Sequence, residues 1–221
     1  MRISSFNINK FCGAYSCQGR YYNPRNIDFK TSIKEIMDSL LKNKDDIIFV
    51  QEFINNKYID IGKLFPDEKY AIFYNGKKLL ESNVVAITLK NSLWEQIEEA
   101  GKMELSNKII EMRLKIYDLN IVSFHNTDKL IEEKINNYLE KEEKQIILGD
   151  FNDCEWIDEL HHEKKGYRDL VTNDMITYKP AQTAIDRVFI KKKEYDKKIV
   201  FNGIIETFSS DHNVVTFTLN L

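Results

Sequence analysis

Apolar positions gather along the chain into short runs rich in β-branched and aromatic side chains. They occupy Arg2–Ile8, Ile47–Gln51, Tyr70–Tyr74, Val84–Leu89, Ile109–Ile116, Asn120–Phe124, Gln145–Leu148, Asp186–Ile190, Ile199–Ile204 and Val214–Leu219. Runs of this length and composition predict strands, about ten in all. Two stretches carry a longer period. Phe29, Ile33, Ile36, Met37, Leu40 and Leu41 fall on one face of a helix that Asn26 or Asp28 can cap. After His125, any of Asn126, Thr127 or Asp128 can open a second helix with Ile131, Ile135, Tyr138 and Leu139 on one side. The charge run Glu140–Lys144 reads as the solvated end of that helix. No internal repeat, Pro-rich linker or composition break interrupts the pattern, so one domain of mixed α and β elements is expected over residues 1–221.

Composition narrows the class. With 43% hydrophobic and 30% charged residues but only 8 Gly and 3 Pro, the chain is neither collagen-like, low-complexity nor wholly disordered. Its longest apolar stretches, such as Ile47–Val50 and Val84–Ile87, fall far short of the roughly 18 residues of a membrane span. The start reaches Asn7 before an apolar segment develops, which does not read as a secretory signal. Three cysteines, Cys12, Cys17 and Cys154, cannot form a fully paired framework and suit a reducing cytoplasm. A net charge of −3 gives no global basic field, so a nucleic-acid partner would need a local patch.

Several apolar runs end in polar residues that a strand terminus does not require. Asn7, Glu52 and His125 follow such runs; Asp150 and Asn152 follow Ile146–Leu148, and Asp211-His212 precedes Val214. If the strands share a sheet or sandwich, these side chains are carried to one rim. Carboxylates, amides and imidazoles together suit phosphate chemistry with a hard cation, since Mg²⁺ takes oxygen ligands and retains water for the substrate.

In order along the chain, Ser5-Phe6-Asn7, Val50-Gln51-Glu52, Ser123-Phe124-His125, Gly149-Asp150-Phe151-Asn152, Ile185-Asp186-Arg187-Val188-Phe189 and Ser210-Asp211-His212 resemble the endonuclease/exonuclease/phosphatase superfamily. The resemblance spans residues 5–215, and Gly-Asp-Phe-Asn after an apolar strand together with Ser-Asp-His near the C-terminus is its most specific part. It implies a four-layered α/β sandwich: two packed mixed β-sheets flanked by helices, with a metal site at one end. It further implies hydrolysis of phosphate esters by in-line attack of water with Mg²⁺, for which Mn²⁺ would substitute. Glu52 would be the principal metal ligand with Asn7 beside it, and Asp211 would approach a second ion. Asp150 would orient or deprotonate water, and Asn152 would hold the phosphate or that aspartate. His212, oriented by Asp186, would stabilise the pentavalent transition state. His125 stands where pancreatic-type DNases, sphingomyelinases and several phosphatases carry His, whereas exonuclease-type AP endonucleases often carry Tyr. It would contact phosphate or protonate the leaving group.

The chain departs from AP endonucleases before Ile185-Asp186, where Pro180-Ala181-Gln182-Thr183-Ala184 replaces a stretch ending in Gly-Trp-Arg. Thr177-Tyr178 stands where relatives commonly have Thr-Trp and reads as a packing element. The segment Lys10–Ile27 interleaves Phe11, Tyr15, Arg20, Tyr21, Tyr22 and Arg25, and the last four are candidate substrate contacts because Arg forks onto phosphate and Tyr stacks a ring. Lys191-Lys192-Lys193 with Lys197 and Lys198 reads as a solvated hairpin tip, and His161-His162 as an exposed helix pair. The leading expectation is a DNase or related nuclease with nucleic acid as substrate. Phospholipid head groups, inositol phosphates or another phosphorylated small molecule form the second, and an inactive binding protein on the same fold the third.

Overall fold

The computed structural model describes residues 1–11, 34–36, 38, 41–42, 44–54, 65–74, 83–90, 94–99, 107–140, 145–163, 166–191, 198–207 and 210–220. Within them twelve strands form two six-stranded sheets. The first is ordered β11-β12-β1-β2-β4-β3, from β11 (Ile199–Ile205), β12 (Val214–Leu219), β1 (Arg2–Asn7), β2 (Ile47–Phe53), β4 (Asn83–Leu89) and β3 (Tyr70–Tyr74). The second is ordered β5-β6-β7-β8-β10-β9, from β5 (Ile97–Glu99), β6 (Ile109–Leu114), β7 (Leu119–His125), β8 (Gln145–Asp150), β10 (Asp186–Lys191) and β9 (Tyr167–Asp169). Each sheet has one parallel pair at its centre, β1 with β2 and β7 with β8, and antiparallel pairs around it. All ten predicted strands are present. The two that the hydrophobic pattern misses, β5 and β9, are edge strands of three residues, too short to show a period.

Consecutive apolar residues on the central strands have a simple cause: both faces of each sheet are covered. Ile47, Phe49, Ala86, Met112, Ile121, Leu148, Val188 and Phe217 fill the space between the sheets. The alternate residues Phe6, Ile48, Val50, Val85 and Ile87 pack the outer face of the first sheet with Phe11, Ile36 and Phe65. On the outer face of the second sheet, Val122, Phe124, Ile147 and Phe189 meet two helices, α1 (Lys129–Glu140) and α2 (Cys154–Glu163). These three apolar seams separate the four layers expected from the sequence.

Helix α1 buries the predicted Ile131, Ile135, Tyr138 and Leu139. Of its three candidate caps, Asp128 serves, its Oδ1 accepting from the Leu130 and Ile131 N–H groups at 3.0 and 3.2 Å. Asp153 caps α2 in the same way. In the earlier helical segment, residues 34–36, 38 and 41–42 are helical and Ile36 is buried, but Leu41, expected on the same stripe, is exposed at its end. Among the described residues no helix is long and apolar enough to cross a membrane.

Candidate active site

The topology gathers the polar residues that end the apolar runs. Asn7 closes β1 and Glu52 lies near the end of β2, while His125 and Asp150 close β7 and β8. These strands run parallel in pairs, so their C-terminal ends lie at one rim. Strands β10 and β12 run the other way, and their beginnings, marked by Asp186 and by His212 just before Val214, reach the same rim. Asp186 is in direct register with Asp150.

Asp150 lies at the centre, nearly fully buried. Its Oδ2 accepts from Asn7 Nδ2 at 2.8 Å and lies 3.8 Å from His212 Nε2 and 3.9 Å from His125 Nε2. Its Oδ1 accepts from the Asn152 N–H at 2.9 Å, which folds the chain into a tight turn with Asn152 at φ 55°. Gly149, at φ +143°, is needed just before it: a Cβ there would lie 1.9 Å from the Phe124 carbonyl oxygen of the adjacent strand. Burial first, and the Asp186 charge second, push the Asp150 carboxyl up to about 7.

His212 donates through Nδ1 to Asp186 Oδ2 at 2.9 Å. Burial works against its charge, but Asp186, Asp150 and Asp211 outweigh it and push the imidazole up to about 10, so Nδ1 carries a proton toward Asp186 at neutral pH. The pair is held from several sides. Thr177 Oγ1 accepts the Asp186 N–H at 2.9 Å, Ser210 Oγ accepts the His212 N–H at 3.2 Å, and Ser210 donates to the Asn7 carbonyl at 2.8 Å. The Tyr178 ring lies 4.8 Å from the imidazole at 45°, so this side chain, half-buried, walls the site as well as packing it.

His125 behaves oppositely. Burial, only partly offset by Glu52, lowers it to about 4, leaving a neutral ring at pH 7. Its Nε2 is 3.0 Å from Asn152 Nδ2, which also donates to the Asn126 carbonyl at 2.8 Å, and 3.5 Å from Glu52 Oε1. A neutral imidazole accepts the amide hydrogen through Nε2.

Glu52 is aimed by a β-bulge: β2 and β4 lose register between Val50 and Phe53, and Glu52 takes φ 56°. Left-handed backbone at a non-glycine residue costs roughly 1–2 kcal/mol and persists where the surroundings over-determine it. Lys10 Nζ sits 3.2 Å from Glu52 Oε2, and Asn7 Nδ2 is 3.5 Å from Oε1. Burial raises the Glu52 carboxyl, yet His125 and Lys10 outweigh it and the net shift is downward. His125 exerts that pull only as pH falls toward 4; at neutral pH, where its ring is uncharged, Lys10 compensates Glu52.

Four carboxylates, Glu52, Asp150, Asp186 and Asp211, thus gather here with the Lys10 and His212 cations among them and Lys179 near Asp211. An oxygen-rich, electronegative cluster of this kind fits a hard divalent ion. Ligand atoms of Asp150, Asp186 and His212 lie within 4.8 Å of one another and can hold a metal. A protonated His212 opposes an ion among those three, whereas Glu52 presents a partly exposed carboxylate at the mouth. Asn7 differs from the sequence expectation in detail. Its amide nitrogen faces Asp150 and Glu52, while its oxygen accepts the Asn9 N–H at 2.9 Å, so ligation through Oδ1 requires the amide to turn over.

Asn7, Glu52, His125, Asp150, Asn152, Asp186, Asp211 and His212 are therefore brought together at one rim. The substrate candidates Arg20, Tyr21, Tyr22 and Arg25 lie outside the described residues. Phe11, from the same segment, is buried edge-on against Phe53 at 5.6 Å. His161 is exposed on α2, as expected, and bonds Asp169 at 3.0 Å, a carboxylate shared with buried Arg187. Two contributors escaped the sequence: Lys10, a surface residue by type, and Gln51, whose Nε2 donates to Ser5 and Ser123 hydroxyls at 3.1 Å each and so ties the two sheets beneath the site. Gln51 had a signal, an amide inside an otherwise apolar run.

A sandwich of two mixed sheets with a carboxylate-imidazole cluster at one rim defines the class, and family comparison agrees. The chain belongs to the Endonuclease/Exonuclease/phosphatase family, whose model matches residues 4–212. No curated protein sequence matches it significantly. Among solved structures it is similar to D. rerio TDP2 complexed with single-strand DNA product, at 13% identity and TM-score 0.68 over 100% of this chain and 99% of that one. It is also similar to the endonuclease domain of TRAS1, a telomere-specific non-LTR retrotransposon (16%, TM-score 0.67, 100% and 98% covered). A third is the Neisseria 3′ phosphatase NExo bound to a product DNA hairpin (13%, TM-score 0.62, 100% of both chains covered).

Proposed function

We propose that this protein is a divalent-metal-dependent phosphodiesterase, with Mg²⁺ the working ion, Mn²⁺ able to replace it, and nucleic acid the substrate. The observation that carries the reading is the surroundings of Asp150: a buried carboxylate with His125 and His212 at 3.9 and 3.8 Å from the same oxygen, bonded to Asn7 and next to Glu52. Family membership supports the reaction class, and the DNA in the D. rerio and Neisseria structures supports the substrate.

Glu52 would hold the ion with Asn7 beside it, directly or through water, and Asp211 would approach a second ion. When bound, the ion at Glu52 supplies electrostatic stabilisation to the phosphate oxygens. Asp150, poised near neutrality, takes the proton of the attacking water. The His212 cation, held by Asp186, balances the charge of the pentavalent phosphorus. Asn152 and His125 face the same space: the amide would give up its hydrogen bond to His125 Nε2 to donate to a non-bridging oxygen, which it does without repelling it.

The reading is tested by offering plasmid DNA, single-stranded DNA, RNA, a generic phosphodiester and inositol phosphates with Mg²⁺ or Mn²⁺. Cleavage of a nucleic acid is expected. Hydrolysis of inositol phosphates alone would move the substrate to the head-group class, and inertness toward the whole panel would leave a binding protein.

A further inference from the structure

Residues Asn9, Lys10 and Phe11 take φ 46°, 52° and 61°, three successive non-glycine residues in left-handed conformation. The turn is closed by the Phe11 N–H donating to the Ile8 carbonyl at 2.9 Å, and the Asn9 N–H is held by the Asn7 side chain. Phe11 anchors it in the apolar seam against Phe53. Conformations of this kind survive only where the surroundings enforce them, and they concentrate at functional sites. What this one achieves is visible in its middle residue. It directs Lys10 across the rim to Glu52 Oε2 at 3.2 Å, with the lysine side chain 40% exposed and the glutamate 15%.

From this geometry we propose that Lys10 is a built-in counter-cation of the metal carboxylate, which competes with the divalent ion for Glu52 and sets its affinity. The inference rests on the reading of Glu52 as the principal metal ligand. An ammonium on one oxygen of a carboxylate repels a second cation there, so the ion enters only as Lys10 withdraws along its flexible stem. Without the ion, Lys10 keeps the half-buried Glu52 compensated, and the apoprotein holds its bulged strand end in place.

Isothermal titration with Mg²⁺ alone, without substrate, tests it on Lys10→Met, Lys10→Arg and Glu52→Gln, each first shown to be folded by circular dichroism; Lys10→Gln stands in if Lys10→Met does not fold. Removing the charge should tighten Mg²⁺ binding roughly tenfold, the scale of the water-screened Lys10–Glu52 ion pair, 3.2 Å across, that the ion must displace. Lys10→Arg should bind like wild type. In chelator Lys10→Met should melt below wild type, and Mg²⁺ should raise its melting temperature further than it raises that of wild type. Unchanged or weaker Mg²⁺ binding in Lys10→Met overturns the inference. So does equal tightening in Lys10→Arg, which would trace the effect to the turn rather than the charge. Glu52→Gln separates the two levels: if it binds Mg²⁺ as wild type does, the ligand reading itself fails, whereas loss of binding there with no change in Lys10→Met refutes only the role of Lys10.

Discussion

Two histidines flank one carboxylate oxygen of Asp150 and titrate in opposite directions, which gives the site a pH signature of its own. His125 is lowered to about 4, so its contribution to stability is present above 6.5 and is lost as pH falls from there through about 4. His212 is raised to about 10, so its contribution is complete below 6.5 and is lost as pH rises through about 10. Thermal melting in chelator across this range should show His125→Gln flattening the acid limb and His212→Gln the alkaline one; a common response of both variants would refute the assignment. In catalysis, His212→Ala should lower turnover on the order of 10³-fold with little change in substrate binding, because its charge is needed most in the transition state. Asp186→Asn should lose part of that effect while leaving Mg²⁺ affinity intact, and calorimetric titration checks it. The types of these residues were legible because each ends an apolar run where packing demands nothing polar. Lys10 was not, since nothing local distinguishes a lysine after a strand from any solvated one.

Elements place these side chains by local devices that sequence pattern shows only in part. Gly149 permits β8 to approach the backbone of β7, and Gly149→Ala should cost about 4 kcal/mol or more in chemical denaturation, since the obstructing atom is a backbone carbonyl. A loss below about 1 kcal/mol would show that the strands can separate without penalty. The bulge that turns Glu52 into the site is invisible in Ile47–Phe53, where apolar residues stand consecutively up to Val50 and show no alternation for it to break. The ten longer strands were readable because burial on both sheet faces demands runs of apolar residues, and α1 because burial on one face imposes a period. Strands β5 and β9 were not, as three residues at a sheet edge need satisfy no pattern.

At the scale of the molecule, the site exists because two sheets are locked in one relative position, and strand order is what the sequence pattern alone leaves open. The family resemblance supplied the sandwich, but the tie beneath the rim is a matter of three polar residues. Gln51 joins Ser5 of its own sheet to Ser123 of the other, one residue before Glu52 and two residues before His125 respectively. Gln51→Leu keeps the volume but strands two buried hydroxyls, and should cost about 1–3 kcal/mol in denaturation. It should also reduce activity while leaving Asp186–His212 undisturbed, and full activity in a destabilised Gln51→Leu would show that the tie is structural only. The central claim, that this rim hydrolyses phosphate esters with a divalent ion at Glu52, is tested most directly by the rate of phosphodiester cleavage before and after chelation. Turnover should vanish in excess EDTA, return with Mg²⁺ or Mn²⁺, and stay absent in Glu52→Gln; undiminished turnover in EDTA would contradict it.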